Sequence, residues 1–477
     1  MKVLHVPYTF HPDPMGGTEV YVEGLIRQLR VLGIASAVAA PASQDDAYEY
    51  RGIPVRRYGI SRKPRNLQAL YGEGDIDAAI NFSRILAMEQ PNIVHLHAFT
   101  RGVSLRLVRI VKAQGVPVIF TYHTPTVTCQ RGSMTQWGIQ PCKGIMNVHT
   151  CARCTLQALF GRLGNPAAKK DGLCAIPVKA LANLVGSLPP AVGAALGEFD
   201  FEGGFWTALR MTELLQLRHG MIRSLFAEVD HIVAVCEWVK NVLTSNGVPS
   251  HKVFLSRQGV ANDDISEDSD QRFTISGDSP LRIAFLGRLD PTKGVHTLIQ
   301  ALSLITKAEL RLVIYGIAQD ESGRRYEQQL RLLAAPDKRI AFHPPITTRE
   351  VIPTLRNYDL LAVPSQCLET GPLVVMEAFA AGAAVIGSRL GGIAELIQDG
   401  LDGVLVDPSN VAEWANKLQC LSEDRSFITR LRTNAAPRRT IADVAREMQE
   451  LYESVLARPC QPSTIEHEFP KPEMSLR

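Results

Sequence analysis

The residues best suited to chemistry lie in two short stretches of the second half of the chain. In GRLDPTKG (287–294), Arg288 and Lys293 sit in the loop between a strand-like run and a helical one. Two cations beside a helix N-terminus, where unpaired amides point outward, make an anion site suited to a diphosphate without a metal ion. In ETGPLVVMEAFAAG (369–382), two glutamates bound a run that is otherwise almost wholly apolar. Pro372 suits the first turn of a helix, 373–381 are good helix formers, and Gly382 suits the stop. Glu369 then belongs to the loop before the helix, where it and the amides of Gly371, Leu373 and Val374 would face a sugar and phosphates. A lone acid there is equally explained by the helix dipole. Glu377 lies about one turn inside, on a face expected to be buried. A buried carboxylate needs a partner, and the hydroxyls of a ribose would serve.

A second group is sulfur-based. Cys129, Cys142, Cys151 and Cys154 fall within 26 residues, and the last two have the spacing that lets both thiolates reach one ion. Four soft ligands in a protein expected to be cytoplasmic point to a structural tetrahedral zinc. An iron–sulfur cluster, a redox disulfide and free thiols are the alternatives, and His149 could replace one cysteine.

These residues need a scaffold, and the rest of the chain describes one. Its 477 residues suit two or three cores, and 45% apolar with 21% charged residues marks a folded chain. A net charge of +3 gives no electrostatic case for a nucleic-acid partner. Strand-like runs alternate with helical periods: KVLHVP, PNIVHLH and VPVIFTYH in the first half, then LRIAFLG, LRLVIYG, RIAFH, YDLLAVP and AAVIGS. The pattern predicts an α/β protein with two doubly wound, Rossmann-like domains. Expected boundaries are an N-terminal domain over 1–257 with a cysteine-rich and helical insertion at 125–228, a linker at 258–280, and a second domain at 281–436. A last helix at 437–457 is expected to cross back to the first domain, and 458–477 to form a mobile tail. In each half the first strand runs into a glycine-bearing loop, PDPMGGTEV and GRLDPTKGV, so both loops should face one crevice. Apolar positions interspersed with Lys and Arg in 155–227 suit core helices or an interfacial helix docked on an anionic membrane. The apolar tract at 180–197 is split by Pro-Pro and falls short of a spanning helix, and KVLHVPYTF is too short for a signal peptide.

Taken together, GRLDPTKG, Glu369 and Glu377 with seven residues between them, and SRLGGIAELIQDGLDGVLVDP resemble the nucleotide-sugar site of the family 4 retaining glycosyltransferases of GT-B fold. The resemblance extends to MKVLHVPYTFHPDPMGGTEVYVEGLIRQLRVLG and VDHIVAVCEWVKNVLTSNGVPSHKVFLS. It implies two domains facing a cleft, with a nucleotide-diphosphate sugar held by the second and an acceptor, a glycan, a lipid-linked sugar or a small molecule, held mainly by the first. It further implies that Arg288 and Lys293 neutralise the leaving diphosphate, that Glu377 binds ribose, and that Glu369 contacts the donor sugar. Gly16 and Gly17 match a loop that approaches the phosphates closely, and His123 matches the family's active-site histidine. His97 could line the acceptor pocket, whereas His95 is expected on the opposite face as a structural residue. The cysteine-rich insertion resembles those of a subset of this family and would form a lid on the acceptor side. No Asp-x-Asp pair accompanies the motifs, which agrees with metal-independent transfer. The competing reading is a catalytically silent partner of the same shape that binds through its cysteines.

Overall fold

The structure, a computed structural model, describes residues 1–13, 16–61, 67–138, 140–163, 175–197, 203–261, 279–435 and 439–457. The expected tail at 458–477 and most of the expected linker lie outside the described residues.

Every strand-like run read from the sequence forms a strand, and the strands assemble into two large sheets. The first contains β1 (Lys2–Val6), β2 (Ala35–Ala42), β3 (Asp46–Tyr50), β4 (Ile53–Gly59), β5 (Ile93–Leu96) and β6 (Val118–Tyr122). A small hairpin of β7 (Thr135–Gln136) and β8 (Gln140–Pro141) stands apart, before β9 (His231–Ala234) and β10 (Val253–Leu255) complete the first sheet in the order β10-β9-β6-β5-β1-β2-β4-β3. All its pairings are parallel except β3 with β4. The second sheet comprises β11 (Leu281–Arg288), β12 (Leu310–Ile317), β13 (Ile340–His343), β14 (Leu360–Val363), β15 (Ala384–Ser388) and β16 (Gly403–Val406). Its order β13-β12-β11-β14-β15-β16 is the 3-2-1-4-5-6 winding of a dinucleotide-binding fold. In such sheets ligands bind where the strand order reverses, here between the ends of β11 and β14.

The two-residue period of strands sorts the first sheet into faces. Leu4, Val6, Val94, Leu96, Val118 and Phe120 share a core with Phe82 and Ile85 of the helix Ile76–Glu89 and Leu107 and Val108 of the helix Leu105–Ala113. On the other face Val3, Ile93 and Ile119 are covered by Tyr21, Val22 and Leu25 of the first helix, Gly17–Val31. Val444, Met448 and Leu451 of the last helix, Ile441–Leu456, complete that core. The last helix therefore packs on the first. Its start is specified locally: Thr440 and Asp443 form a capping box, and Asp443 Oδ2 accepts from the Thr440 amide at 2.8 Å.

The face covered by the first and last helices also carries His5, His95 and Thr121, all buried. His95 and His97 are two residues apart, and their ring centroids lie 4.1 Å apart on one side of the sheet. The expectation that they point to opposite faces is corrected by the strand period itself, which returns side chains i and i+2 to the same side.

Candidate active site

Arg288 is the last residue of β11 rather than part of the loop after it, and is exposed at the carboxyl edge of the sheet. Asp290 follows, and its side chain accepts from the Thr292 amide at 2.8 Å, capping the 3-10 turn Pro291–Lys293. Gly294 then turns the chain at φ 72° into the helix Val295–Leu304. A Cβ there would lie 1.8 Å from the carbonyl oxygen of Pro364 at the end of β14, so glycine is required on both counts. The switch-point loops are thus in van der Waals contact.

Glu369 follows β14 and precedes the helix Leu373–Ala380, for which Pro372 is the N-cap residue. Gly371 sits between them at φ 106°. Lys293 Nζ donates to Glu369 Oε1 at 2.5 Å, and Ser365 Oγ donates to the same oxygen at 2.8 Å. Burial alone would raise the Glu369 carboxyl. The Lys293 charge and hydrogen bond, the Ser365 hydroxyl and the Arg288 charge hold it below its ordinary value instead. It is therefore a carboxylate at neutral pH, and its pair with Lys293 is only 14% and 20% exposed. Glu377 lies inside the helix and is half-buried, less enclosed than expected, because the helix turns Val375, Met376, Ala378 and Phe379 inward and leaves Glu377 at the margin.

The first sheet meets this loop directly. Thr370 Oγ1 donates to the carbonyl of His123 at 2.6 Å, and Trp238 Nε1 donates to the carbonyl of Glu369 at 2.7 Å. Glu395 accepts from the amides of Glu237 and Trp238 at 2.8 and 3.0 Å, so a carboxylate of one half caps the helix Glu237–Ser245 of the other. Gly16 and Gly17 start the first helix, and a Cβ on Gly17 would lie 3.7 Å from Leu373 Cδ1, an ordinary contact. Among the described residues, no contact demands glycine at either position. His123, Gly17, Glu369, Lys293 and Leu373 are thus gathered where the two halves meet. Thr370, Trp238 and Glu395 were not singled out from the sequence, because their roles arise from contacts between distant segments, and Ser365 was not because its bond to Glu369, four residues on, depends on how the loop after β14 folds.

The two halves match two described protein families. Residues 266–438 match the glycosyl transferases group 1 model, and residues 16–167 match the glycosyl transferase 4-like domain. Both matches are to glycosyltransferases, and together they cover most of the chain. Its arrangement is that of GT-B glycosyltransferase structures: sucrose-phosphate synthase from Thermosynechococcus elongatus superposes with a TM-score of 0.64 at 17% identity, covering 96% of this chain and 100% of that one. HepE from Anabaena, solved in complex with UDP and glucose, superposes with a TM-score of 0.58 at 16% identity, covering 95% and 100%. Among curated proteins, the D-inositol 3-phosphate glycosyltransferase of Corynebacterium efficiens is 33% identical over 186 residues, which cover 37% of this chain and 44% of that protein. The match thus spans less than half the length of that relative.

The cysteine-rich insertion of the 4-like half abuts the group 1 half. Cys129 and Cys142 pack with Met134, Val242, Trp238, Leu368 and Leu390, and the Leu368 amide donates to the carbonyl of Ser133 at 3.3 Å. Cys151 and Cys154 share a face of the helix Val148–Leu163. The Trp137 amide donates to Cys154 Sγ at 3.2 Å and the Gly144 amide to Cys142 Sγ at 3.4 Å. Burial, with the neighbouring thiols adding to it, pushes Cys151 up to about 11 and raises Cys142. None of the four forms a disulfide. Among the described residues, the three side chains whose ligand atoms all lie within 4.8 Å of one another are His5, His95 and His97, and the four thiols do not meet that test.

Proposed function

We propose that this protein is a retaining glycosyltransferase that moves a sugar from a nucleotide-diphosphate sugar to a glycan, lipid-linked or small-molecule acceptor. The observation that carries the reading is the Lys293–Glu369–Ser365 cluster at the switch point of the second sheet, with Arg288 beside it and His123 bridged to it through Thr370. In this reading residues 281–436 hold the donor and residues 1–257 the acceptor. Gly371, Leu373 and Val374 offer backbone amides at a helix N-terminus to the phosphates, Pro372 fixes the entry of that helix, and Glu377 at its margin meets the ribose. Gly16 and Gly17 leave room for the phosphates from the opposite side. As the anomeric carbon takes on oxocarbenium character, negative charge grows on the departing diphosphate. Arg288 and Lys293 stabilise that charge, and Glu369 holds Lys293 in place while contacting the sugar.

The activities named by the similar proteins, sucrose-phosphate synthase and D-inositol 3-phosphate glycosyltransferase, agree with sugar transfer in this architecture. The test is release of nucleoside diphosphate from nucleotide sugars. The reading requires release by the native protein and its loss in Lys293→Ala and Glu369→Ala. Failure of every nucleotide to bind would favour the silent-partner reading.

Two further assignments belong here. The four thiols are proposed as ligands of a structural zinc, supported by the backbone N–H groups aimed at Cys142 and Cys154, which stabilise thiolate sulfur. Metal analysis of the purified protein decides it, and absence of both zinc and iron refutes it. The insertion is proposed to dock at the cytoplasmic face of a membrane. No single described helix is long and apolar enough to cross one, but the helices over 179–185 and 190–197 form a bent pair at 81°, and Leu184 and Phe205 are 69% and 68% exposed.

A further inference from the structure

Three imidazoles stand in a row behind the site. His123 Nε2 lies 3.1 Å from His97 Nδ1, and His97 Nε2 lies 3.1 Å from His5 Nδ1. All three rings are buried, and the two ends of the row, His123 Nδ1 and His5 Nε2, have no hydrogen-bond partner among the described residues. His95 stands beside the row but is committed elsewhere, through Nδ1 to the Tyr452 hydroxyl at 2.7 Å and through Nε2 to Thr121 Oγ1 at 2.6 Å.

Burial pushes His5 and His123 down to about 3 and takes His97 well below its ordinary value, so each ring is neutral and carries one N–H. Each N···N contact then needs one donor and one acceptor, and only two arrangements satisfy both contacts. In the first, every ring carries Nε2–H, which leaves an orphan N–H on His5 in the core and a bare Nδ1 on His123. In the second, every ring carries Nδ1–H, which leaves His5 with a bare lone pair and gives His123 a free N–H. Each arrangement leaves one buried donor without a partner, on His5 Nε2 or on His123 Nδ1; His5 is wholly enclosed in the core, whereas His123 lies at the junction where Thr370 reaches its carbonyl and an oxygen of a bound ligand can satisfy the N–H, so the second arrangement wins.

We propose that His5 and His97 are positioning residues that hold His123 as the Nδ1–H tautomer, so that His123 meets the donor sugar as a hydrogen-bond donor to an oxygen and not as a base. The proposal rests on the reading of His123 as part of the donor site. A divalent ion held by His5, His95 and His97 is the competing use of these rings. Both nitrogens of His95 are already engaged, and no carboxylate belongs to the group to balance a buried dication.

The test is two-bond 1H–15N correlation spectroscopy of the full chain labelled with 15N-histidine, with signals assigned by single variants. The expected result is Nδ1–H for His123 and His97 in the native protein. His97→Leu should mix the two His123 tautomers and lower kcat by at least about tenfold, the scale of losing one aligned donor, with a smaller change in KM. His97→Gln, whose amide can still donate to His123 Nε2, should restore much of both. Observation of Nε2–H on His123, or of a bound metal ion shifting the His5, His95 and His97 signals, would overturn the proposal. The tautomer is read without turnover, so inactivity on every nucleotide sugar alongside Nδ1–H at His123 refutes the transferase reading alone.

Discussion

Glu369 and Lys293 were assigned separate tasks from the sequence, yet they form one partly buried ion pair 76 residues apart in the chain. The pairing became visible only once β11 and β14 were neighbours, because chain spacing does not report contacts across a sheet. Glu369→Gln should keep the Ser365 contact but remove the charge that orders Lys293. We expect kcat to fall by about a hundredfold or more, a typical cost of losing a preorganised charge at a reacting centre, measured by steady-state kinetics. The pH dependence has a definite sign. The folded carboxyl titrates below the ordinary value of 4.5, so the stabilisation it provides is complete above that pH and is lost as pH falls through the lower folded value. The stability difference between native protein and Glu369→Gln should therefore stay flat from neutrality down to about pH 5 and shrink only below 4.5, as read by chemical denaturation. Gly17 separates function from fold at the same scale. A Cβ there meets only an ordinary contact and the residue starts a helix, so Gly17→Ala should leave stability unchanged or raise it by up to about 1 kcal/mol. Binding of the nucleotide sugar should weaken nonetheless, which calorimetry would show.

At the scale of elements, the strands and the helix after Glu369 were legible because apolar runs, Pro372 and Gly382 are local signals. The histidine row was not. It depends on His5 pairing with His95 in register, on β6 lying beside β5, and on the two-residue period that puts His95, His97 and His123 on one face. The turn at Gly294 is the element most sensitive to substitution. Gly294→Ala would force a positive φ on alanine and a collision with Pro364, so a loss of about 3 kcal/mol or more is expected in thermal unfolding. Donor binding should fall with it, because this turn carries Lys293. The insertion offers a separate test. Leu184→Asp and Phe205→Asp should abolish sedimentation with anionic vesicles without changing the unfolding temperature, since both side chains are exposed. Unchanged sedimentation would remove the membrane assignment.

Over the whole molecule, two sheets with their switch points turned toward one another follow from the alternation of strand and helix, and the family resemblance supplied the same architecture. The contacts that join the halves were not legible, because each is a single polar atom meeting a backbone group far away in sequence. Trp238 reaches the carbonyl of Glu369, Thr370 reaches that of His123, and Glu395 caps a helix of the opposite half. Trp238→Phe keeps the apolar contact and removes one hydrogen bond. It should raise the donor KM severalfold, consistent with about 1 kcal/mol lost from the junction of the halves, while global stability changes little. The last helix adds a covalent tie, covering Tyr21, Val22 and Leu25 and bonding His95 through Tyr452. The central claim is that the junction of these halves binds a nucleotide-diphosphate sugar through Lys293 and Glu369. Its most direct test is calorimetric titration of the native protein and Lys293→Ala with uridine, guanosine and adenosine diphosphate sugars. Saturable binding of at least one donor by the native protein, lost in Lys293→Ala, is the predicted result; no binding of any donor, or equal binding by the variant, would contradict it.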